Sequence, residues 1–116
     1  MKPTNLFLIM LFLAVSVIVA HPADSIKMTF DSTGTILNIQ VYHSVRNPNN
    51  HYINSIMVDI NGKEIVKQNF FRQNDNLTQV ALYKIIDVKE KDKINVTTQC
   101  NIAGKKKATL IYTINR

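Results

Sequence analysis

Cysteine occurs once in the 116 residues, tryptophan not at all, and glycine and proline three times each. A single cysteine excludes an internal disulfide framework, zinc-finger spacing and Cys-rich iron–sulfur ligation. No Pro/Gly/Ser-rich stretch is present to act as a linker, and at 46% hydrophobic residues the chain is too apolar to be disordered. The length permits one small domain and no second core. No apolar run reaches the roughly 20 residues of a membrane-spanning helix. The longest covers residues 6–20, broken only by Ser16.

That run follows Lys2 and ends on Ala20, the pattern of a secretory signal with a small residue before the cut. The expected division is a cleaved signal over residues 1–20 and one domain over residues 21–116. Ala23 is a second candidate for the cut, and an uncleaved amino-terminal anchor is the alternative. Either way the folded part is expected to be secreted or periplasmic, outside the cytoplasmic membrane, with no membrane span after cleavage. The remaining chain begins at His21 and carries thirteen basic against eight acidic side chains. These are scattered, apart from Lys105-Lys106-Lys107, with no recognition helix or aromatic platform beside them. Nucleic acid is therefore not an expected partner. The charge suits a solvated surface, or the steering of a small anion.

The mature part alternates with a period of two. Ile26, Met28 and Phe30 share one face of residues 25–30, and Leu37, Ile39, Val41 and His43 share one face of residues 35–43. Ile56, Val58 and Ile60 line a third strand, and Asn61-Gly62 is a type I′ hairpin signal. The return strand runs from Lys63 to about Phe71 with Ile65 inward, and residues 77–86 form another β-rich run. In residues 94–100, Ile94, Val96 and Thr98 share a face with Cys100. The last strand is expected over residues 109–114. Seven short strands with turn signals between them predict an all-β, immunoglobulin-like antiparallel sandwich. Two Asn-x-Thr sequons stand at Asn76 and Asn95.

The scarce residues are the chemical ones. His43 and Cys100 both end strands, and His51 follows the loop formed by residues 44–50. With His21 they are the only residues of the mature chain that bind a borderline transition metal tightly, and they point to one rim of the sandwich. The competing readings are a capping histidine and a buried cysteine acting as a small hydrophobe. An unpaired cysteine in an exported protein is open to oxidation unless it is buried, paired or metal-bound.

His43, the segment Asn50-His51-Tyr52-Ile53, the NG hairpin and Cys100-Asn101-Ile102-Ala103-Gly104 together resemble the iron-binding domain of superoxide reductases (neelaredoxin and the catalytic domain of desulfoferrodoxin). The family pattern has an early His, a His ahead of a His-Tyr-Ile motif, and Cys-Asn-x-His-Gly near the end. The likeness runs over nearly all of the mature chain in the same order. It implies His21, His43 and His51 as equatorial imidazole ligands and Cys100 as the axial thiolate of a mononuclear iron. It further implies superoxide as the small anionic substrate, an unidentified electron donor, and His51 and Cys100 as the residues closest to the chemistry. The chain departs from the pattern at Ala103, which stands where the family has its fourth His. The Trp that often follows that motif is also missing, and the family's Glu-Lys-type segment ahead of the first His would leave with the signal. Three imidazoles and a thiolate also make a complete tetrahedral set for zinc, and a free amino-terminal His21 would chelate copper. A carrier of zinc or copper, or a metal-free interaction module, are the other classes.

Overall fold

The computed structural model describes residues 21–114; the signal expected over residues 1–20 lies outside them. Seven strands follow one another: β1 (Ser25–Phe30), β2 (Ile36–Tyr42), β3 (Ile53–Ile60), β4 (Lys63–Asn69), β5 (Thr78–Lys84), β6 (Lys93–Cys100) and β7 (Lys105–Ile111). One sheet has the order β1-β2-β5 and the other β4-β3-β6-β7, and every pairing is antiparallel. The chain folds as an all-β, immunoglobulin-like sandwich.

The alternation seen in the sequence places the core. Leu37, Ile39 and Val41 from β2 face Ile53, Ile56 and Val58 from β3 and Ile94 and Val96 from β6, all fully buried between the sheets. Most residues between them on the same strands, such as Asn38, Gln40, Thr97 and Gln99, are polar, as expected of strands with one face in a sandwich core. Asn61 and Gly62 both take positive φ, 53° and 92°, as a type I′ turn demands. Beneath that turn the buried Asp59 and Asn95 join the exposed Thr109 in a polar group. Asn95 donates to the Asp59 carboxylate at 2.8 Å, Gly62 N–H donates to the same oxygen at 2.9 Å, and Thr109 donates to Asn95 Oδ1 at 2.6 Å.

The last strand corrects the expectation. It runs over Lys105–Ile111 rather than residues 109–114, and Lys105, Lys106 and Lys107 pair with Gln99, Thr98 and Thr97. The lysine run is a strand because Gly104, at φ 100°, turns the chain immediately after Asn101-Ile102-Ala103. Ladder pairing then overrides the polar composition: Lys105 and Lys107 point to solvent while Lys106 is half-buried. Past Ile111 the ladder continues to Tyr112, whose N–H donates to Asp92 O, and ends there because Asp92 N–H turns back to Lys89 O.

Burial also separates the two sequons. Asn76 is exposed, whereas Asn95 is 8% exposed and its amide nitrogen is committed to Asp59. Secretion through a cell with N-glycosylation machinery should therefore add one glycan, at Asn76. Intact mass before and after glycan removal, with Asn76→Gln and Asn95→Gln for comparison, checks this. A glycan that persists in Asn76→Gln would contradict it.

Candidate metal centre

Both sheets contribute to one rim. His43 immediately follows β2 and His21 lies four residues ahead of β1, both on the three-stranded sheet; His51 precedes β3 and Cys100 ends β6, on the four-stranded sheet. All three histidines come together. Their ring centroids are 4.7 Å (His21–His43), 4.8 Å (His43–His51) and 5.2 Å (His21–His51) apart, and one ligand atom from each lies within 4.8 Å of the others. Cys100, 2% exposed, sets its Sγ 3.2 Å from His51 Nε2. Three of the four residues singled out in the sequence thus form one histidine cluster, and the fourth, Cys100, lies against it at His51.

Local hydrogen bonds explain why they converge. Asn101 grips the residues on either side of His51: its N–H donates to Tyr52 O, its Oδ1 accepts from Tyr52 N–H, and its Nδ2 donates to Asn50 O, each at 2.9 Å. The Cys100 turn and the His51 loop therefore move as one piece. The amino-terminal segment is anchored as firmly. Ala23 is buried in the core, Asp24 N–H donates to Tyr42 O, and Asp24 Oδ2 accepts from Ser44 N–H. Pro22 packs against Gly104, so closely that a Cβ on Gly104 would lie 2.8 Å from Pro22 N. His21–Ala23 are thus part of the folded domain. Ala103, where the family pattern has a fourth His, is exposed in the Cys100 turn.

Gln73 is the residue that the sequence did not reveal. It is 2% exposed and ties His43 to β3: its Oε1 accepts from His43 Nδ1 at 2.8 Å and from Ile53 N–H at 3.1 Å, and its Nε2 donates to His43 O and Asp75 O. A glutamine in the polar run Arg72-Gln73-Asn74-Asp75-Asn76 reads as a solvated loop, and only the tertiary structure folds it inward.

The ring nitrogens carry a proton deficit. His21 Nδ1 lies 2.9 Å from Pro22 O and its Nε2 3.1 Å from Ser44 O, while His43 Nε2 lies 3.1 Å from His21 O. A neutral imidazole has one N–H. With both rings neutral, one lone pair on His21 and one on His43 abut oxygens, an unfavourable contact that a metal ion among the rings, or a second ring proton, relieves. Desolvation, with His43 and His21 beside it, holds His51 below the ordinary histidine range. That favours the neutral ring, the form that ligates metal. Donor chemistry, separation and lone-pair crowding all fit a transition-metal ion.

No protein-family model matches the chain, and no curated protein matches it. Among solved structures it is similar to superoxide reductase (1Fe-SOR) from Giardia intestinalis, with 17% sequence identity, a TM-score of 0.60, and coverage of 78% of this chain and 99% of that one. At that identity the likeness establishes the fold: this chain shares the two-sheet, all-β sandwich of that superoxide reductase, with a three-histidine cluster at one rim.

Proposed function

We propose that the protein is an exported mononuclear iron protein of the superoxide-reductase type, converting superoxide to hydrogen peroxide. The observation that carries this is the convergence of His21, His43, His51 and Cys100 on one rim of a sandwich with that fold. Iron held there supplies the single electron which, with two protons from solvent, turns superoxide into hydrogen peroxide. The imidazoles suit ferrous iron, and the Cys100 thiolate pushes electron density toward it. Lys105 and Lys107, exposed on β7 beside the Cys100 turn, add positive charge that draws a small anion toward the rim. An external donor must return the electron.

The 3.2 Å contact between His51 Nε2 and Cys100 Sγ puts a sulfur donor beside the imidazoles, the donor pair that iron would use, and Ala103 brings no further ligand.

The test is metal analysis and a visible spectrum of the oxidised protein, purified without a tag, beside Cys100→Ala. The expected result is bound iron with a thiolate-to-iron absorption band that Cys100→Ala abolishes, and superoxide consumption that depends on added reductant. Colourless zinc-loaded protein would eliminate the redox role, a copper spectrum would reassign the metal, and metal-free protein that folds normally would leave an interaction module. Ala103→His should tighten iron binding; no gain would count against this mapping of the ligands.

A further inference from the structure

Every polar atom of the Gln73 side chain faces a group whose own role is fixed. Ile53 N–H can only donate, so the atom 3.1 Å from it is the amide oxygen; His43 O and Asp75 O can only accept, so the atom facing them, at 2.8 and 3.1 Å, is the amide nitrogen. No flip of the amide satisfies these backbone groups. The nitrogen of His43 that meets Gln73 Oε1 at 2.8 Å must then be N–H, because an amide oxygen only accepts.

His43 has a second acceptor within reach. Its Nε2 lies 3.1 Å from His21 O, and the neutral ring has one proton for the two sites. A proton on Nε2 would make a hydrogen bond to His21 O and block the lone pair that faces the cluster. It would also leave Gln73 Oε1 and His43 Nδ1 opposed as two acceptors inside the domain, where His43 is fully buried.

We infer that Gln73 is a positioning residue that locks His43 in its Nδ1–H tautomer, so that Nε2 is kept bare for a metal. The lock holds Nε2 against His21 O without a proton between them, an acceptor–acceptor contact that is relieved when a cation takes the lone pair. Gln73 thereby makes the rim select for a cation instead of settling into a self-satisfied hydrogen-bond network. Its donations to His43 O and Asp75 O tie the backbone of His43 to Gln73's own loop, so ring orientation and tautomer are set by one side chain. The consequence for metal affinity rests on the metal reading above; the tautomer does not.

Long-range ¹H–¹⁵N correlation spectra of the metal-free protein, purified from the full chain as the expression host processes it, report the tautomer of each ring. Wild type should show His43 protonated on Nδ1. In Gln73→Leu the proton should move to Nε2, and affinity for cobalt(II), titrated by its absorption, should fall about 10–100-fold, the usual loss for an outer-shell partner of a ligating histidine. Gln73→Glu keeps an oxygen for the Nδ1–H and, buried against His43 O and Asp75 O, holds its second oxygen protonated as the donor those carbonyls need, so it should retain both tautomer and affinity. That variant decides the matter should Gln73→Leu fail to fold. A wild-type proton on Nε2, a folded Gln73→Leu with unchanged tautomer and cobalt affinity, or a Gln73→Glu that shifts to Nε2–H would each overturn the inference. If wild type takes up no cobalt, the metal reading fails, while the tautomer measurement still decides the role of Gln73.

Discussion

Gly104→Ala is expected to unfold about 10–20 °C below wild type and to weaken metal binding at least tenfold. Gly104 sits at φ 100°, where an L-residue costs about 1–2 kcal/mol. A Cβ there would also meet Pro22 Cδ and Pro22 N at 2.8 Å, and Pro22 N is backbone that cannot swing aside. Something in the chain must move, and the segment in the way carries His21. Strain and displacement together come to about 2–3 kcal/mol, and a domain of this size loses about 4–8 °C per kcal/mol. Gly62 provides the control. It has φ 92°, yet an added Cβ would meet nothing within 4 Å, so Gly62→Ala should show the backbone strain without any loss of metal affinity. Thermal unfolding by circular dichroism and a cobalt(II) titration of both variants check this. The argument collapses if Gly104→Ala behaves like Gly62→Ala in both measurements.

The second large effect is on stability. His21 and His43 belong to the three-stranded sheet, His51 and Cys100 to the four-stranded one, so a metal held by all four ties the two sheets together at that rim. A ligand that binds only the folded state stabilises it by about 2.7 kcal/mol at a hundredfold excess over Kd. For this domain that corresponds to a rise in Tm of about 10–20 °C. Calorimetry of protein loaded with metal, compared with the same protein after chelation, should show that separation, and Cys100→Ala should reduce it. Coincident transitions for loaded and chelated wild type would sink the idea that the cluster holds a cation across the sheets.

How much of this was legible in the sequence depends on the range of the interaction that decides each feature. Leu37, Ile39, Val41 and His43 fall on one buried face because side chains alternate along a strand, a rule that needs no knowledge of the partner strand. Asn61-Gly62 is equally local, since a type I′ turn is a requirement on the φ angles of two successive residues. The lysine run was harder. Three adjacent lysines look like a solvated turn until the β6 ladder beside them is known, and only that ladder brings the start of the last strand forward to Lys105. Asn95 makes the same point, because the sequon is visible in the sequence while the Asp59 carboxylate that occupies its amide is 36 positions away.

The sequence by itself determined the seven-strand alternation, the hairpin turn, and which four side chains are available for a metal, because period and scarcity are properties of the linear chain. Tertiary structure decided that the three histidines meet and that Cys100 lies against His51. Asn101 clamps Asn50 and Tyr52 around His51, Gly104 admits Pro22, and Gln73 turns out of a polar loop to hold His43. Each of these depends on backbone groups brought together by the pairing and packing of the two sheets, and their separation along the chain, 30 positions between Gln73 and His43 and 51 between Asn101 and Asn50, is why no local pattern announces them.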